Sequence, residues 1–260
     1  MILNSDQSFL FCGQKLSGIS DLTFSSDFSL QNFQTLGRNR FGFQKNGPSV
    51  GKVDFSRSLI YADPVLSYTG EMACSGVFSY GTVNYGFESG YLESYSVSAS
   101  VGQVPSVSAS VSVFGEMKSG AANQLETSHP SVFVPSPRSI LISNEYVSSN
   151  LVSSFQWGIE CPRRARYSVG NSLFPSFVES LGPTVNASIT YNVKGFSAID
   201  LNNFARNVSS PNFSVTIKNR DLSQTLMTLP VYNAQVLSQE LQGTVDSPLS
   251  LTLTYGGYID

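Results

Sequence analysis

Charge is what this chain has least of: acidic and basic residues together fill 13% of its 260 positions, against about 25% in an average globular protein. A soluble monomer with so few surface charges tends to associate. We therefore expect much of the surface to be covered by other subunits. The formal net charge of −3 supplies no global field for holding nucleic acid, which argues against an ordinary DNA- or RNA-binding domain.

Histidine is almost missing. Its sole representative, His129, sits in Ser-His-Pro on a proline-spaced stretch. Nucleophilic catalysis through Ser-His or Cys-His would need that residue held by a rigid shell, which such a stretch does not offer. His129 reads as a solvated loop residue. Cys12, Cys74 and Cys161 are odd in number and far apart, with no Cys-x-x-Cys. That spacing indicates neither a zinc site nor a disulfide framework, and small buried thiols are the expected role. No P-loop, G-x-G-x-x-G, G-x-S-x-G, H-E-x-x-H or EF-hand pattern occurs. Glu71, Glu88, Glu93 and Glu116 are the obvious carboxylates and read as solvated or interface charge. Three Asn-x-Ser triplets, at Asn186, Asn207 and Asn212, read as coincidence in a chain rich in both residues. No catalytic residue, metal or cofactor is expected. Nor is there a basic leader or a run of about 18 apolar residues, so use on the cytoplasmic side is expected.

What is present is alternation. From Tyr91 to Met117, Tyr95, Val97, Ala99 and Val101 alternate with Ser94, Ser96, Ser98 and Ser100; after Gly102–Pro105, Val107, Ala109, Val111 and Val113 alternate with Ser106, Ser108, Ser110 and Ser112. This is the period of half-buried strands, joined as a hairpin with Gly102 supplying any positive φ. Its polar face carries hydroxyls and no charges. Phe9 to Leu36 also reads as strands, with Ser17-Gly18 and Ser25-Ser26-Asp27 as turns, and Gly37 to Pro48 as a loop rich in glycine and basic residues. Ala62 to Gly76 is expected to hold a short helix, and Val77 to Phe87 a pair of short strands. A second helix is expected at Asp200–Val208, where Leu201, Phe204, Ala205 and Val208 fall at helical spacing behind an Asp cap.

The first half then repeats. A shift of 133 carries Phe24 to Trp157 and Gly37 to Gly170; a shift of 135 carries Gly47-Pro48-Ser49-Val50 to Gly182-Pro183-Thr184-Val185; a shift of 142 carries Val107, Ala109, Val111 and Val113 to Leu249, Leu251, Leu253 and Tyr255. The expected organisation is a first β domain at 1–117, a proline-rich linker at 118–138 and a second β domain at 139–260. No partner in the second copy is found for the segment before Ser17. Basic clusters lie near equivalent places, Arg38, Arg40 and Lys45 with Phe41 and Phe43 in one copy, Arg163, Arg164 and Arg166 in the other. These are the candidate inter-subunit contacts, since arginine suits desolvated bidentate pairing.

Leu36-Gly37, Gly47 to Val50 and Tyr91 to Gly115, with Val169-Gly170, Gly182 to Val185 and Leu249 to Gly256, resemble the tail tube proteins of long-tailed bacteriophages. The resemblance implies two tandem antiparallel β-sandwich or barrel domains and self-assembly into stacked rings, three-membered with pseudo-sixfold symmetry. It also implies a virion location, other tail proteins as partners, and genome DNA passing through an acidic lumen without specific binding. The alternatives are a distal-tail or tail-tip hub ring of the same fold and a carbohydrate-binding adhesin stacking sugars on Trp157, Tyr80 and Tyr85. A hydrolase on a β-scaffold is the weakest reading.

Overall fold

Alternating sequence becomes strand along most of the chain. The computed structural model describes residues 7–34, 41–119, 135, 140–143, 151–169, 174–192, 212–244 and 247–259. In the first half the strands are β1 (Gln7–Phe11), β2 (Gln14–Leu16), β3 (Ile19–Gln34), β4 (Phe41–Ser58), β5 (Cys74–Tyr80), β6 (Val83–Ser100), β7 (Ser106–Phe114) and β8 (Lys118–Ser119). In the second they are β9 (Ile140–Ser143), β10 (Val152–Glu160), β11 (Arg163–Arg166), β12 (Phe177–Ser180), β13 (Thr184–Asn192), β14 (Asn212–Lys218), β15 (Thr225–Thr244) and β16 (Ser247–Tyr258). The fold is mainly antiparallel β, as expected, with fourteen strands in one sheet and β11 and β12 in a separate pair.

The hairpin β6–β7 forms as its alternation dictates, Val97 opposite Val107 and Tyr95 opposite Ala109. Tyr95, Val97, Ala99, Val107, Ala109, Val111 and Val113 are all buried. Gly102 adopts a φ of 82° in the connecting loop, a conformation that side chains with a Cβ disfavour. β6 extends the Val83 strand without interruption, so the aromatic hairpin β5–β6 and the serine hairpin β6–β7 share one long strand.

Three expectations need correction. No turn occurs at Ser25–Asp27: β3 runs through it, because Thr23, Ser25 and Asp27 continue the polar side of the Leu22/Phe24 alternation. The basic loop is shorter than expected, since Phe41 to Pro48 belongs to β4 and pairs with β3 as far as Gln34 opposite Phe41. The helix near Ala62 is one 3₁₀ turn, Val65–Tyr68, capped at Val65 N–H by the Asp63 carboxylate at 2.9 Å. The expected helix at Asp200–Val208 lies outside the described residues.

Each half is two layers deep. In the first, β1 covers β3 and β4, with the Phe9 ring 6.2 Å from Phe24 and 5.5 Å from Phe55. In the second, β14 covers β16, with Phe213 and Tyr255 rings 4.9 Å apart. Burial pushes the Cys74 and Cys161 thiols and the Tyr191 phenol upward, and burial followed by the Asp63 charge does the same to Tyr95. Raised folded-state pKa values retain their stability below the unfolded-state values and lose it as pH climbs past them, where only the unfolded chain ionises. The thermal midpoint is thus expected to hold near neutrality and fall from roughly pH 8.5, the ordinary thiol range, steepening above about pH 10, the phenol range. A midpoint flat from neutrality to pH 11 would contradict this burial.

Candidate assembly interface

The repeat is visible in the hydrogen-bonded registers. In the first half β1 pairs β5, β5 pairs β6, β6 pairs β7, β7 pairs β4 and β4 pairs β3; in the second β9 pairs β14, β14 pairs β15, β15 pairs β16, β16 pairs β13 and β13 pairs β10. The irregularities coincide as well. The break between Leu92 and Ser94 on β6 recurs between Val236 and Ser238 on β15, and that between Ile19 and Asp21 on β3 recurs between Val152 and Ser154 on β10. Bulges re-aim a strand at a fixed position, so matched bulges fix the correspondence residue by residue.

That correspondence keeps the shift of 133 for β3 to β10 but corrects the other two. β4 maps onto β13 with a shift of 134, not 135, placing Val53 on Ala187; β6 and β7 map onto β15 and β16 with 144, not 142, placing Val111 on Tyr255. The segment before Ser17 does have a counterpart: β1 corresponds to β9, Phe9 opposite Phe78 as Ile142 is opposite Val215. The two halves meet through β6 and β10, where Val97 faces Trp157 and Ala99 faces Phe155. Within the assigned linker, Lys118 and Ser119 already pair with β6.

Eight strands thereby form one continuous wall in the order β3-β4-β7-β6-β10-β13-β16-β15. Its inner face is buried and, apart from Arg57, apolar over the central strands, and it opens to solvent along β15, where Leu241 is 49% exposed. Across its other face, cross-strand partners read Ser58, Ser106, Ser98, Gln156, Ser188, Thr254 and Ser238 in one row, without a charge. Hydroxyls bond to each other across strands: Ser98 to Ser106 at 2.9 Å, Ser56 to Ser108 at 3.0 Å and Thr190 to Thr252 at 3.1 Å. Lys52 lies on that face, paired to Asp54 at 3.2 Å. Asp21, Asp27, Glu160 and Glu240 share the polar register, so the face leans negative.

The seam between halves is reinforced from beneath. Arg57 and Asp63 form an ion pair of 2.9 Å with both side chains fully buried. Arg57 Nη1 donates to Tyr61 Oη at 2.7 Å, and Tyr95 Oη donates to Asp63 Oδ2 at 3.0 Å. Trp157 Nε1 donates to the Pro230 carbonyl at 3.1 Å.

Of the candidate contacts, Arg38 and Arg40 lie outside the described residues, and Phe41, Phe43 and Lys45 lie in β4 opposite Gln34, Asn32 and Leu30. Arg163 works inside the chain: its guanidinium donates to the carbonyls of Leu92 at 3.2 Å, Thr69 at 3.2 Å and Gly70 at 2.6 Å, and lies 6.0 Å from the Tyr91 ring centre. Arg166 grips Glu179 with two nitrogens, at 2.9 and 3.2 Å. Arg164 is exposed. Among the carboxylates, Glu88 pairs with Lys118 at 3.0 Å, Glu93 accepts from Ser112 Oγ at 2.7 Å, and Glu71 and Glu116 are exposed. His129 lies outside the described residues. Sequence reasoning missed the strand edges, because an unpaired edge is a property of topology and leaves no composition signal.

No protein-family model matches this chain, and no curated protein matches it in sequence.

Proposed function

We propose that this chain is a non-enzymatic structural subunit that assembles with itself into stacked rings, as the tail tube of a long-tailed phage does, with the hydroxyl face of the eight-stranded wall lining the bore. The observation that carries this reading is that face. It is broad, rich in hydroxyls and negative, with its donors and acceptors partly satisfied by one another. Such a surface lets a polyanion slide without binding, since its acidic side chains repel phosphate. Three chains per ring, each supplying two equivalent units, is the symmetry this reading takes. The adhesin reading loses one of its three aromatics, because Trp157 is fully buried, while Tyr80 is exposed.

Negative-stain microscopy of the concentrated protein is the test. Filaments of uniform bore support the tube, single rings favour the tail-tip hub, and discrete globular particles at high concentration count against both. Two variants connect the face to the role. Val97→Glu puts a carboxylate at a fully buried position and is expected to unfold the chain. Ser98→Glu with Ser108→Glu should leave the urea midpoint within about 0.5 kcal/mol of the parent, as surface substitutions do, while disturbing assembly or DNA passage. Unimpaired assembly and passage would make the face ordinary surface.

A further inference from the structure

Among the described residues, the repeat leaves two strand edges of the eight-stranded wall unmatched. β3 has β4 as its described partner, and from Gln235 to Thr244 β15 has β16 on one side and no described strand on the other. The equivalents of these edges, on β10 and β6, are the two that join the halves. We propose that β3 of one copy pairs with β15 of another in the register of the internal β6–β10 seam. This rests on the self-assembling reading above and names the strands and residues that carry it.

The register follows from the two shifts. Subtracting 133 from β10 and adding 144 to β6 places Thr23 opposite Gln242, Phe24 opposite Leu241, Ser25 opposite Glu240 and Asp27 opposite Ser238. No like charges then face each other directly, an arrangement that antiparallel pairs require. Burial agrees with it. Phe155, Trp157 and Val97 are buried at the internal seam, whereas their counterparts Leu22 and Phe24 are only partly covered and Leu241 is 49% exposed. Those are the side chains a second copy would cover.

A cleft gives a second, independent indication. It opens beside the β15 bulge, between Asn233, Gln235, Leu237, Gly256 and Tyr258. In the first half the equivalent place is filled: Cys161 N–H donates to the Glu93 carbonyl at 2.7 Å and Arg163 lies over Tyr91. Cys161 to Arg163 continue β10 as residues 28–30 continue β3. The cleft is therefore where the onward run of a neighbour's β3 would fall. A head-to-tail pairing of this kind is heterologous: repeated, it closes a ring where its rotation divides a full turn and runs on as a helical filament where it does not.

Disulfide trapping tests the register. At the internal seam the bonds Cys161 N–H to Glu93 O and Val101 N–H to Ser153 O make Ser98–Gln156 a non-hydrogen-bonded pair, with Cα atoms roughly 4.5 Å apart and within disulfide reach. Thr23→Cys with Gln242→Cys reproduces that pair between copies at two exposed positions. Mild oxidation of the concentrated full chain should give a ladder of covalent oligomers on a non-reducing denaturing gel. The single variants should stop at dimer or below, and the register-shifted Ser25→Cys with Gln242→Cys should give little ladder. No ladder, or one equally strong from the shifted pair, overturns the proposal. Microscopy of the same samples separates the two readings. Tubes without the ladder sink this seam and spare the tube; a ladder with discrete particles supports the seam and sinks the tube.

Discussion

Asp63→Ala is expected to lower stability by about 3–5 kcal/mol, the usual consequence of removing one partner from a buried ion pair. The loss arises because Arg57 keeps its charge where water cannot reach it: both side chains of the pair are fully buried. Two further bonds disappear with the carboxylate, the one from Tyr95 Oη and the one from Val65 N–H that caps the 3₁₀ turn. Urea midpoints would measure the drop. The partner experiment separates charge from shape. At the position equivalent to Arg57 the second half has Tyr191, also buried and uncharged, so the architecture tolerates a neutral residue there. Arg57→Met with Asp63→Asn removes both charges and keeps an oxygen acceptor for Val65. Against the single variants Arg57→Met and Asp63→Asn we expect a coupling of about 2 kcal/mol, so that the double variant loses less than the two singles together. A double variant as unstable as the sum of its parts would mean that packing, not the uncompensated charge, dominates.

The second large effect is at Trp157. Trp157→Ala should cost about 3–5 kcal/mol, because the ring is fully buried opposite Val97 and edge-on to Tyr95 at 6.4 Å, and its Nε1 satisfies the Pro230 carbonyl. Truncation leaves both a cavity and an unmet acceptor. The matching change at the repeat-equivalent site, Phe24→Ala, removes a ring that is only partly covered in the single chain, and should cost the monomer about 1–2 kcal/mol. Its larger effect should fall on assembly. Thermal unfolding of dilute protein and sedimentation of concentrated protein together read this contrast. Equal monomer losses at the two sites would mean that the outer edge is already a closed part of the fold.

The sequence carries the β class, the β6–β7 hairpin and the 133-residue offset legibly, because alternation at Val97 and Val107 and the Phe24–Trp157 match need no tertiary information. It could not give the offset of the closing hairpin. Strand patterns have period two, so shifts of 142 and 144 fit the alternation equally well, and only the bulges at Leu92/Ser94 and Val236/Ser238 decide between them. The offset of 135 is different in kind. An odd–even slip there would have put Val53 on Ser188, on the wrong face, so the Gly-Pro-(Ser/Thr)-Val match cannot extend into the strand. The counterpart of β1 was hidden because β9 is four residues long and shares the pattern without the residues. Phe41 to Pro48 looked like a loop through its glycines, although Phe41, Phe43 and Lys45 keep strand spacing. The candidate interface was legible as a serine-lined face and illegible as a pair of edges.

The Trp157 hydrogen bond also bears on which strand β6 accepts as its partner. β3 and β10 occupy equivalent places in the two halves, so both fit the edge of β6 in the same register. Phe24 has no N–H to offer at the place where Trp157 Nε1 reaches the partly buried Pro230 carbonyl, so a foreign β3 docked on β6 lacks this bond, while the chain's own β10 makes it. Tryptophan at this one position favours pairing with the chain's own β10 over a neighbour's β3 by one hydrogen bond.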